Sequence, residues 1–276
     1  MPELAAGVTI SQTLALAAAD LHAAGLDTPR LDAELLLAHA LGVDRARLVL
    51  DAREPIEQGA AARFEALLER RRSCEPVAYI LGRRAFRRLE LSVDPRVLIP
   101  RPETELLVEA GLSLPPGARV LDVGTGSGAV ALALADERPD LEVWGSDASA
   151  EALEVARANA ARLGLPVSFV QADLLEGVPG PFDAVLANLP YVADGEQLPA
   201  DVAGFEPRLA LYGGPDGLVL MRRLAGQLGA VPFAALEVGL GQAAAVAWLL
   251  RGAGLHQVEL ARDLAGIERV VVGRRA

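Results

Sequence analysis

The length, composition and charge of the chain limit the classes of protein to which it can belong. At 276 residues, it can form one large domain or two domains of ordinary size. Hydrophobic residues make up 52% of the chain and charged residues 23%, which excludes an intrinsically disordered protein. The net charge of −11 argues against sequence-independent binding to nucleic acid, which normally requires a basic surface.

Cysteine usage and hydropathy predict a soluble protein of the cytoplasm. The single cysteine, Cys74, excludes an internal disulfide framework, so a reducing compartment is expected. The first 26 residues are rich in alanine and leucine, but they lack a basic N-terminal segment and Asp20 interrupts them. This pattern favours an amphipathic helix over a signal peptide. No apolar run approaches the ~20 residues that span a bilayer. We therefore expect no membrane association, and we expect a monomer.

The N-terminal quarter of the chain is predicted to form a small all-helical domain. Thr28 and Pro29 supply an N-cap and a first-turn proline for a helix that ends near Gly42. Asp44 can cap a short third helix, and the spacing of apolar residues predicts a fourth helix over residues 56–71.

The segment that follows predicts a β-hairpin linker. Apolar residues alternate over residues 77–81 and again over residues 89–93, with a break at Gly82-Arg83-Arg84 between the two runs. Alternation of this kind indicates two strands joined by a turn. Further on, Pro102 is predicted to be the first residue of a helix, because acidic residues follow it in the first turn.

Basic residues are concentrated around this predicted hairpin. Nine arginines and three acids lie between Arg70 and Arg101, so this stretch has a net charge of +6 and the rest of the chain −17. Charge runs usually face water, so a solvated hairpin is sufficient to explain the arginines. The strongly acidic remainder favours a basic macromolecular partner.

From residue 119 onward, predicted strands and helices alternate, which is typical of a mostly parallel sheet with helices on both faces. The predicted strands cover residues 119–123, 141–146, 167–171, 182–187, 232–238, 255–260 and 268–273. The predicted helices cover residues 128–136, 149–163, 217–229 and 241–252.

A glycine-rich loop follows the first strand of this sheet. In the run from Gly124 to Gly128, the glycines permit a tight turn and a close approach of the backbone to a ligand, just before a helix N-terminus. Enzymes that bind dinucleotides use a similar loop, so the loop by itself leaves a nicotinamide-dependent dehydrogenase open.

Acidic residues at the strand ends indicate which cofactor the loop binds. Asp147 ends the next strand, where a carboxylate would accept hydrogen bonds from ribose hydroxyls, and Asp173 with Leu174 suits the amino group and face of an adenine. Asp122 would repel a pyrophosphate and fits the cationic cofactor S-adenosylmethionine better. Taken singly, either of the first two acids could merely end a strand and cap a helix. Three acids in this order beside a glycine loop favour a cofactor site.

The tetrapeptide Asn188-Leu189-Pro190-Tyr191 follows an apolar run at residues 182–187 and would project from the carboxyl end of the sheet, where such folds bind ligands. The Asn188 side-chain oxygen and a loop carbonyl can each accept one N–H of a planar NH₂ group, and the tyrosine ring can pack on that group. Considered alone, the tetrapeptide is equally explained as an Asn-initiated turn with a structural tyrosine.

The tetrapeptide resembles the Asn-Pro-Pro-Tyr signature of methyltransferases that act on planar amide or exocyclic amino nitrogens. Over essentially its whole length the chain is similar to the peptide-chain release factor glutamine methyltransferases, the PrmC/HemK family. The segments that carry this similarity are residues 75–82, 98–105, 205–211 and 213–218. The resemblance implies methyl transfer from S-adenosylmethionine to the side-chain nitrogen (N5) of the glutamine in the Gly-Gly-Gln motif of bacterial release factors.

The resemblance also implies an α/β fold. A Rossmann-like S-adenosylmethionine-dependent methyltransferase domain (residues 101–276) would be joined by a β-hairpin linker (76–100) to a small all-helical N-terminal domain (1–75) that recognises the substrate. No metal is required, because the sulfonium is already a strong methyl donor. A DNA adenine methyltransferase shares the loop and a similar tetrapeptide, but it would need a basic cleft. A cofactor-binding scaffold without catalysis is a further alternative.

Site residues follow from the positions that match the family. The cofactor-binding residues would be Gly124, Thr125, Gly126, Ser127, Gly128, Asp147, Asp173, Leu174 and Asn188. The substrate glutamine would be held by Asn188, Leu189, Pro190 and Tyr191, of which Asn188, Pro190 and Tyr191 would be catalytic. Leu189 stands where the family has proline. Because Pro190 still restricts the backbone of Leu189, we expect activity to be retained.

Overall fold

The computed structural model describes residues 8–275. The chain forms two compact units. The first runs to Gly82 and also includes Leu198–Phe205, and the second comprises Arg83–Gln197 and the chain from Glu206 onward. Within the described range, no helix combines the length and the apolar character needed to cross a bilayer.

The first unit is built from helices around a leucine-rich core. Its helices are α1 Ile10–Ala23, α2 Pro29–Leu41, α3 Arg45–Leu50, α4 Gln58–Arg72, α5 Val77–Leu81 and α9 Ala200–Phe205. The predicted helices of this region are confirmed, and the helix ends that were predicted lie within two residues of the observed ends. Gly42 ends α2 in the left-handed conformation, with φ 69°. Residues 1–7, at the start of the predicted first helix, lie outside the described residues.

Two predicted caps of this unit differ in detail from the structure. Thr28 and Asp44 occupy the N-cap positions of α2 and α3, but neither side chain bonds to the backbone there. The Thr28 hydroxyl instead donates to Asp32, at 2.8 Å, and Asp32 accepts a second bond from Arg71, also at 2.8 Å. Asp32 and Arg71 are both buried, so each charge is compensated inside the helical core.

The strand predicted over residues 77–81 is wrong, because this segment is helix α5. Ile80 is buried in the helical core, with Val77 beside it, and Gly82 ends the turn with φ 68°. An apolar run of five residues is too short to separate a period of two from a period of 3.6, so the packing decides. A hairpin is present, but its first strand is β1 Arg83–Phe86, which begins in the predicted break and pairs antiparallel with β2 Leu89–Ser92.

The second unit contains a seven-stranded sheet with the order β5-β4-β3-β6-β7-β9-β8. Its strands are β3 Arg119–Val123, β4 Glu142–Asp147, β5 Ser168–Gln171, β6 Ala184–Ala187, β7 Phe233–Glu237, β8 Gln257–Arg262 and β9 Glu268–Arg274. The first five strands of the sheet are parallel, and β9 pairs antiparallel with both β7 and β8. The predicted α/β fold is confirmed, since strands and helices alternate as expected.

Helices of this unit cover the sheet and form two hydrophobic clusters with it. They are α6 Glu105–Leu112, α7 Ala129–Glu137, α8 Ala150–Leu163, α10 Val219–Gln227 and α11 Ala243–Gly252. The helix predicted to begin at Pro102 starts as a 3₁₀ turn, Pro102–Thr104, and continues into α6. Helix α9 and a second 3₁₀ turn, Arg208–Ala210, were not predicted, since their short segments have no apolar period.

The position of β3 in the sheet determines where a ligand can bind. Strand β3 lies between β4 and β6 in the sheet. The chain adds β4 and β5 on one side of β3 and then returns to add β6 on the other side, which makes the β3/β6 boundary the topological switch point. Val123 is in register with Ala187 across this boundary. The loops that follow the two strands therefore begin side by side at the carboxyl edge of the sheet.

Candidate active site

The glycine-rich loop after β3 has the backbone conformation that requires glycine. Gly124, Gly126 and Gly128 have φ of 72°, 55° and 85°, in the left-handed region that L side chains rarely adopt. A Cβ placed on Gly126 would meet no atom within 4 Å, so open space lies above the middle of the loop. At the start of the loop, the amides of Gly124 and Thr125 both donate to the Ser146 carbonyl of β4, at 2.8 and 2.9 Å.

Asp147, at the carboxyl end of β4, holds this loop in place. One carboxylate oxygen accepts from the Gly126 amide at 2.9 Å, and the other accepts from the Ser149 amide, also at 2.9 Å. Burial raises the pKa of Asp147, and the backbone amides oppose that shift. Because each carboxylate oxygen has more than one lone pair, both can still accept a hydrogen bond from a ligand hydroxyl.

Asp122, which the sequence analysis related to a cationic cofactor, has hydrogen-bond partners within the protein. Its carboxylate oxygen Oδ2 accepts from the Thr125 hydroxyl at 2.7 Å and from the Ala131 amide at 3.2 Å. The side chain is buried, and burial raises the pKa of Asp122 to about 7. Asp122 thus ties the loop to the start of α7, and this structural role accounts for an acid here without a cationic ligand.

The structure places Asp173 and Leu174 differently from each other. Leu174 is buried in the core cluster that contains Val123, and it adopts a left-handed conformation with φ 57°. Asp173 is exposed, and Arg223 of α10 donates to its carboxylate at 2.7 Å. An adenine-binding role for Asp173 therefore has to compete with this ion pair, and it stays a prediction.

The tetrapeptide loop after β6 lies directly beside the glycine loop. A Cβ on Gly124 would lie 3.3 Å from Leu189 Cδ2 and 3.6 Å from the Asn188 carbonyl oxygen. Leu189 is 4% exposed and belongs to the same core cluster as Val123. The leucine at the family's proline position thus serves as a core residue that packs under the loop.

The backbone of the tetrapeptide is held by glycines and by one amide side chain. A Cβ on Gly213 would lie 2.3 Å from the Pro190 carbonyl oxygen, and a Cβ on Gly217 would lie 2.1 Å from the Tyr191 carbonyl oxygen. Gln242 Nε2 donates to that same Tyr191 oxygen at 2.9 Å. These contacts explain why glycines follow the tetrapeptide in the segment 213–217, since only glycine permits such a close approach.

Two residues that the sequence analysis did not assign to the site complete it. The Asn188 side-chain nitrogen Nδ2 donates to the Thr104 hydroxyl at 3.0 Å. Glu237 is the last residue of β7, and a hydrogen bond from Thr104 acts to lower the pKa of its carboxyl. Thr104 and Glu237 are buried. Their sequence signals, a helix start and the end of an apolar strand, are shared by many structural residues, so only the fold reveals that Thr104 contacts Asn188 and that Glu237 lies near Thr104.

A buried acid also fixes the segment that carries Thr104. Glu206 is 4% exposed, accepts from the Ile99 amide at 3.1 Å and forms an ion pair with Arg101. Two of the segments that carried the family resemblance, 98–105 and 205–211, therefore meet in the fold. Across residues 8–275, no three His, Cys, Asp or Glu side chains come together in a way that could hold a metal ion.

The fold and this loop arrangement define the class of protein. A family model for the methyltransferase small domain matches residues 102–203. A solved methyltransferase from Pyrococcus furiosus superimposes with a TM-score of 0.51 at 18% identity, over 68% of this chain and 89% of that one. A human methyltransferase 10 domain containing protein gives 0.51 at 16% identity, over 67% and 88%. The second unit thus has the fold of S-adenosylmethionine-dependent methyltransferases.

Closer relatives define the family. A family model for the PrmC N-terminal domain matches residues 12–82. The release factor glutamine methyltransferase of Burkholderia pseudomallei (strain K96243) is 46% identical, with 96% of this chain and 98% of that protein aligned. The protein of the same name from Deinococcus radiodurans is 42% identical, over 95% and 97%. This chain belongs to the release factor glutamine methyltransferase family, which confirms the resemblance and decides against the dehydrogenase and DNA methyltransferase alternatives.

Proposed function

We propose that this chain transfers a methyl group from S-adenosylmethionine to the N5 nitrogen of the glutamine in the Gly-Gly-Gln motif of bacterial peptide-chain release factors. The observation that carries the proposal is the side chain of Asn188. Thr104 accepts from its nitrogen, so its side-chain oxygen remains available as a hydrogen-bond acceptor, and its backbone oxygen lies beside the glycine loop.

The residues around the glycine loop fit this cofactor. The space above Gly126 admits a ligand against the backbone, and Asp147 offers carboxylate lone pairs for ribose hydroxyls. When bound, the cofactor supplies a methyl group that its sulfonium charge activates for transfer. Leu174 contributes apolar surface for the adenine, and Asp173 is the candidate partner of its amino group.

The tetrapeptide would hold the glutamine amide in the orientation that the reaction needs. An amide nitrogen is a poor nucleophile because its lone pair is delocalised, as the rotation barrier of ~18–20 kcal/mol of a peptide bond illustrates. Asn188 Oδ1 and a loop carbonyl would each accept one N–H of the NH₂ group and direct its π face toward the methyl donor. Positioning of this kind supplies ~7–11 kcal/mol of barrier reduction.

Tyr191 would close the site over the planar amide. Burial, and secondarily the nearby Glu237, raises the pKa of Tyr191 to about 12, so the phenol stays neutral at every physiological pH. A neutral ring packed on the amide excludes water without adding charge near the reacting nitrogen. Pro190 restricts the preceding Leu189 to extended conformations, which keeps the loop carbonyls directed toward the substrate.

The charge of the chain supports the choice of partner. A net charge of −11 favours a basic protein substrate over nucleic acid. A release factor domain that works in an RNA-rich environment is expected to be basic. We further propose that the enzyme acts in the cytoplasm as a monomer, without a metal and without direct contact to nucleic acid or membranes.

Transfer of labelled methyl groups tests this proposal. The full chain is incubated with labelled S-adenosylmethionine and an unmodified release factor, and we expect label on the wild-type substrate and none on a Gln→Ala variant of its Gly-Gly-Gln motif. Label that survives the Gln→Ala change would contradict the proposed substrate.

The role of Asn188 has its own variant. Asn188→Ala is expected to lose transfer at least ~100-fold while it keeps most of its cofactor affinity, since a misplaced reacting group costs about that much. Gln257→Ala, which removes an exposed amide at the start of β8, is the matched control and should transfer at the wild-type rate. Wild-type transfer by Asn188→Ala would remove Asn188 from the mechanism.

A further inference from the structure

We propose that Glu237 is a positioning residue, which acts through the Thr104 hydroxyl to fix the side-chain amide of Asn188 in its acceptor orientation. The inference rests on the proposed role of Asn188 and deepens it, because it identifies what prevents that amide from turning over.

Three separate elements bring these residues together. Asn188 follows β6, Glu237 ends β7, and Thr104 ends the 3₁₀ turn before α6. Ala187 is in register with Leu236 across the parallel pair β6/β7, so Asn188 and Glu237 continue at the same level of the sheet. Glu237 is 2% exposed, and its oxygen Oε2 has no hydrogen-bond partner within the described residues. A buried carboxylate with one unpaired oxygen is costly to maintain, which favours a functional reason for it.

When Glu237 is ionised, the donors and acceptors that link Glu237, Thr104 and Asn188 have only one possible arrangement. A carboxylate can only accept, so the single hydroxyl hydrogen of Thr104 must be donated to Glu237. Only lone pairs of Thr104 then face Asn188, and Asn188 must present its nitrogen to them. The Asn188 oxygen is thereby left to accept an N–H of the substrate amide.

Protonation of Glu237 removes this constraint. The carboxylic acid can donate to Thr104, which frees the Thr104 hydrogen for donation to Asn188 Oδ1. The Asn188 amide can then turn over and present its NH₂ group to the NH₂ group of the glutamine. Two donors face each other in that arrangement, so the substrate amide is no longer held.

The surroundings of Glu237 place its titration near neutral pH. Burial raises the pKa of Glu237 to about 7, against the hydrogen bond from Thr104, which lowers it. Among the charged neighbours, Glu103 raises the pKa while Arg269 and Arg101 lower it, and the nearby phenol of Tyr191 is neutral. The ionised fraction of Glu237, and with it the fraction of correctly oriented Asn188, therefore increases as the pH rises through about 7.

The experiment compares four variants of the full chain in methyl transfer to an unmodified release factor, with kcat and KM measured from pH 6 to 8.5. We expect the wild-type kcat to rise through a step near pH 7. Thr104→Val, which removes the hydroxyl, and Glu237→Gln, which can both donate and accept, should lower kcat at least ~10-fold and abolish the step. Thr104→Ser, which keeps the hydroxyl, should retain both.

Asp122→Asn is the control for the pH step, because Asp122 is the other buried acid of this site with a pKa raised to about 7. The step should persist in this variant. Cofactor binding and thermal unfolding of each variant separate a loss of orientation from a loss of fold. If Glu237→Gln does not fold, the comparison of Thr104→Val with Thr104→Ser decides.

The possible outcomes separate this inference from the proposed function. Wild-type kcat in Thr104→Val, or an unchanged pH step in Glu237→Gln, would overturn the role of Glu237 even though glutamine methylation stands. A wild-type enzyme that does not label the glutamine at all would overturn the proposed function and this inference together.

Discussion

At the scale of single residues, the site depends on side chains whose burial and partners leave them little freedom. Asn188 is fixed by Thr104, Asp147 by two backbone amides, and Asp122 by the loop that it caps. Leu189 is the residue at which this chain differs from the family signature, and its side chain is buried under the loop. With leucine in place of proline at position 189, the backbone loses the restriction that a proline ring would impose, and the side chain gains apolar packing in the core.

Leu189→Pro tests whether that exchange is tolerated. We expect kcat to change less than about tenfold, because Pro190 already holds residue 189 in an extended conformation. Loss of the buried leucine should lower the free energy of unfolding by about 1–3 kcal/mol, as measured in denaturant. Leu189→Ala removes the same packing without the added restriction and serves as the control. A change in kcat of several orders of magnitude in the proline variant alone would show that the backbone restriction matters.

At the scale of secondary-structure elements, the segment at residues 213–217 determines the shape of the tetrapeptide loop. Gly213 and Gly217 approach the carbonyl oxygens of Pro190 and Tyr191 so closely that a side chain at either position would displace the loop. The short distance between these segments is a property of the packing, since backbone oxygens cannot move aside as flexible side chains can.

Gly213→Ala is the corresponding variant. Gly213 does not have a positive φ, so alanine adds steric conflict without backbone strain. A Cβ at 2.3 Å from the Pro190 oxygen must shift the loop, and we expect kcat to fall by ~10- to 100-fold in the transfer assay. Gly226→Ala in α10, where a Cβ meets nothing within 4 Å, should keep full activity. Equal kcat in the two variants would mean that the loop position is not critical.

The elements that the sequence predicted share a clear physical signal. Strands β6 and β7 are buried along their whole length, so their apolar runs identify them. Helix α5 was misassigned because its apolar run is short, and α9 was missed because none of its residues is buried. Thr104 and Glu237 could not be assigned from the sequence, because they lie 84 and 49 positions from Asn188 in the chain. Their proposed role depends on the fold bringing them near that residue.

At the scale of the whole molecule, the arginine-rich stretch of the second unit is largely neutralised by acids. Arg87 pairs with Glu137 and Glu109, and Arg88 pairs with Asp136. These ion pairs neutralise the arginines, so the acidic excess of the chain remains, with a net charge of −11. This supports a basic protein as the substrate. The division into domains at residues 75 and 100 stays a prediction, while the chain first passes from one compact unit to the other between Gly82 and Arg83.

The position of the transferred methyl group tests the central claim most directly. After reaction with the full chain and S-adenosylmethionine, an unmodified release factor is digested and the peptide that contains Gly-Gly-Gln is fragmented by tandem mass spectrometry. We expect one added methyl group on the glutamine side-chain nitrogen, absent when Asn188→Ala replaces the wild-type enzyme. A methyl group on any other residue of the release factor, with the glutamine unmodified, would contradict it.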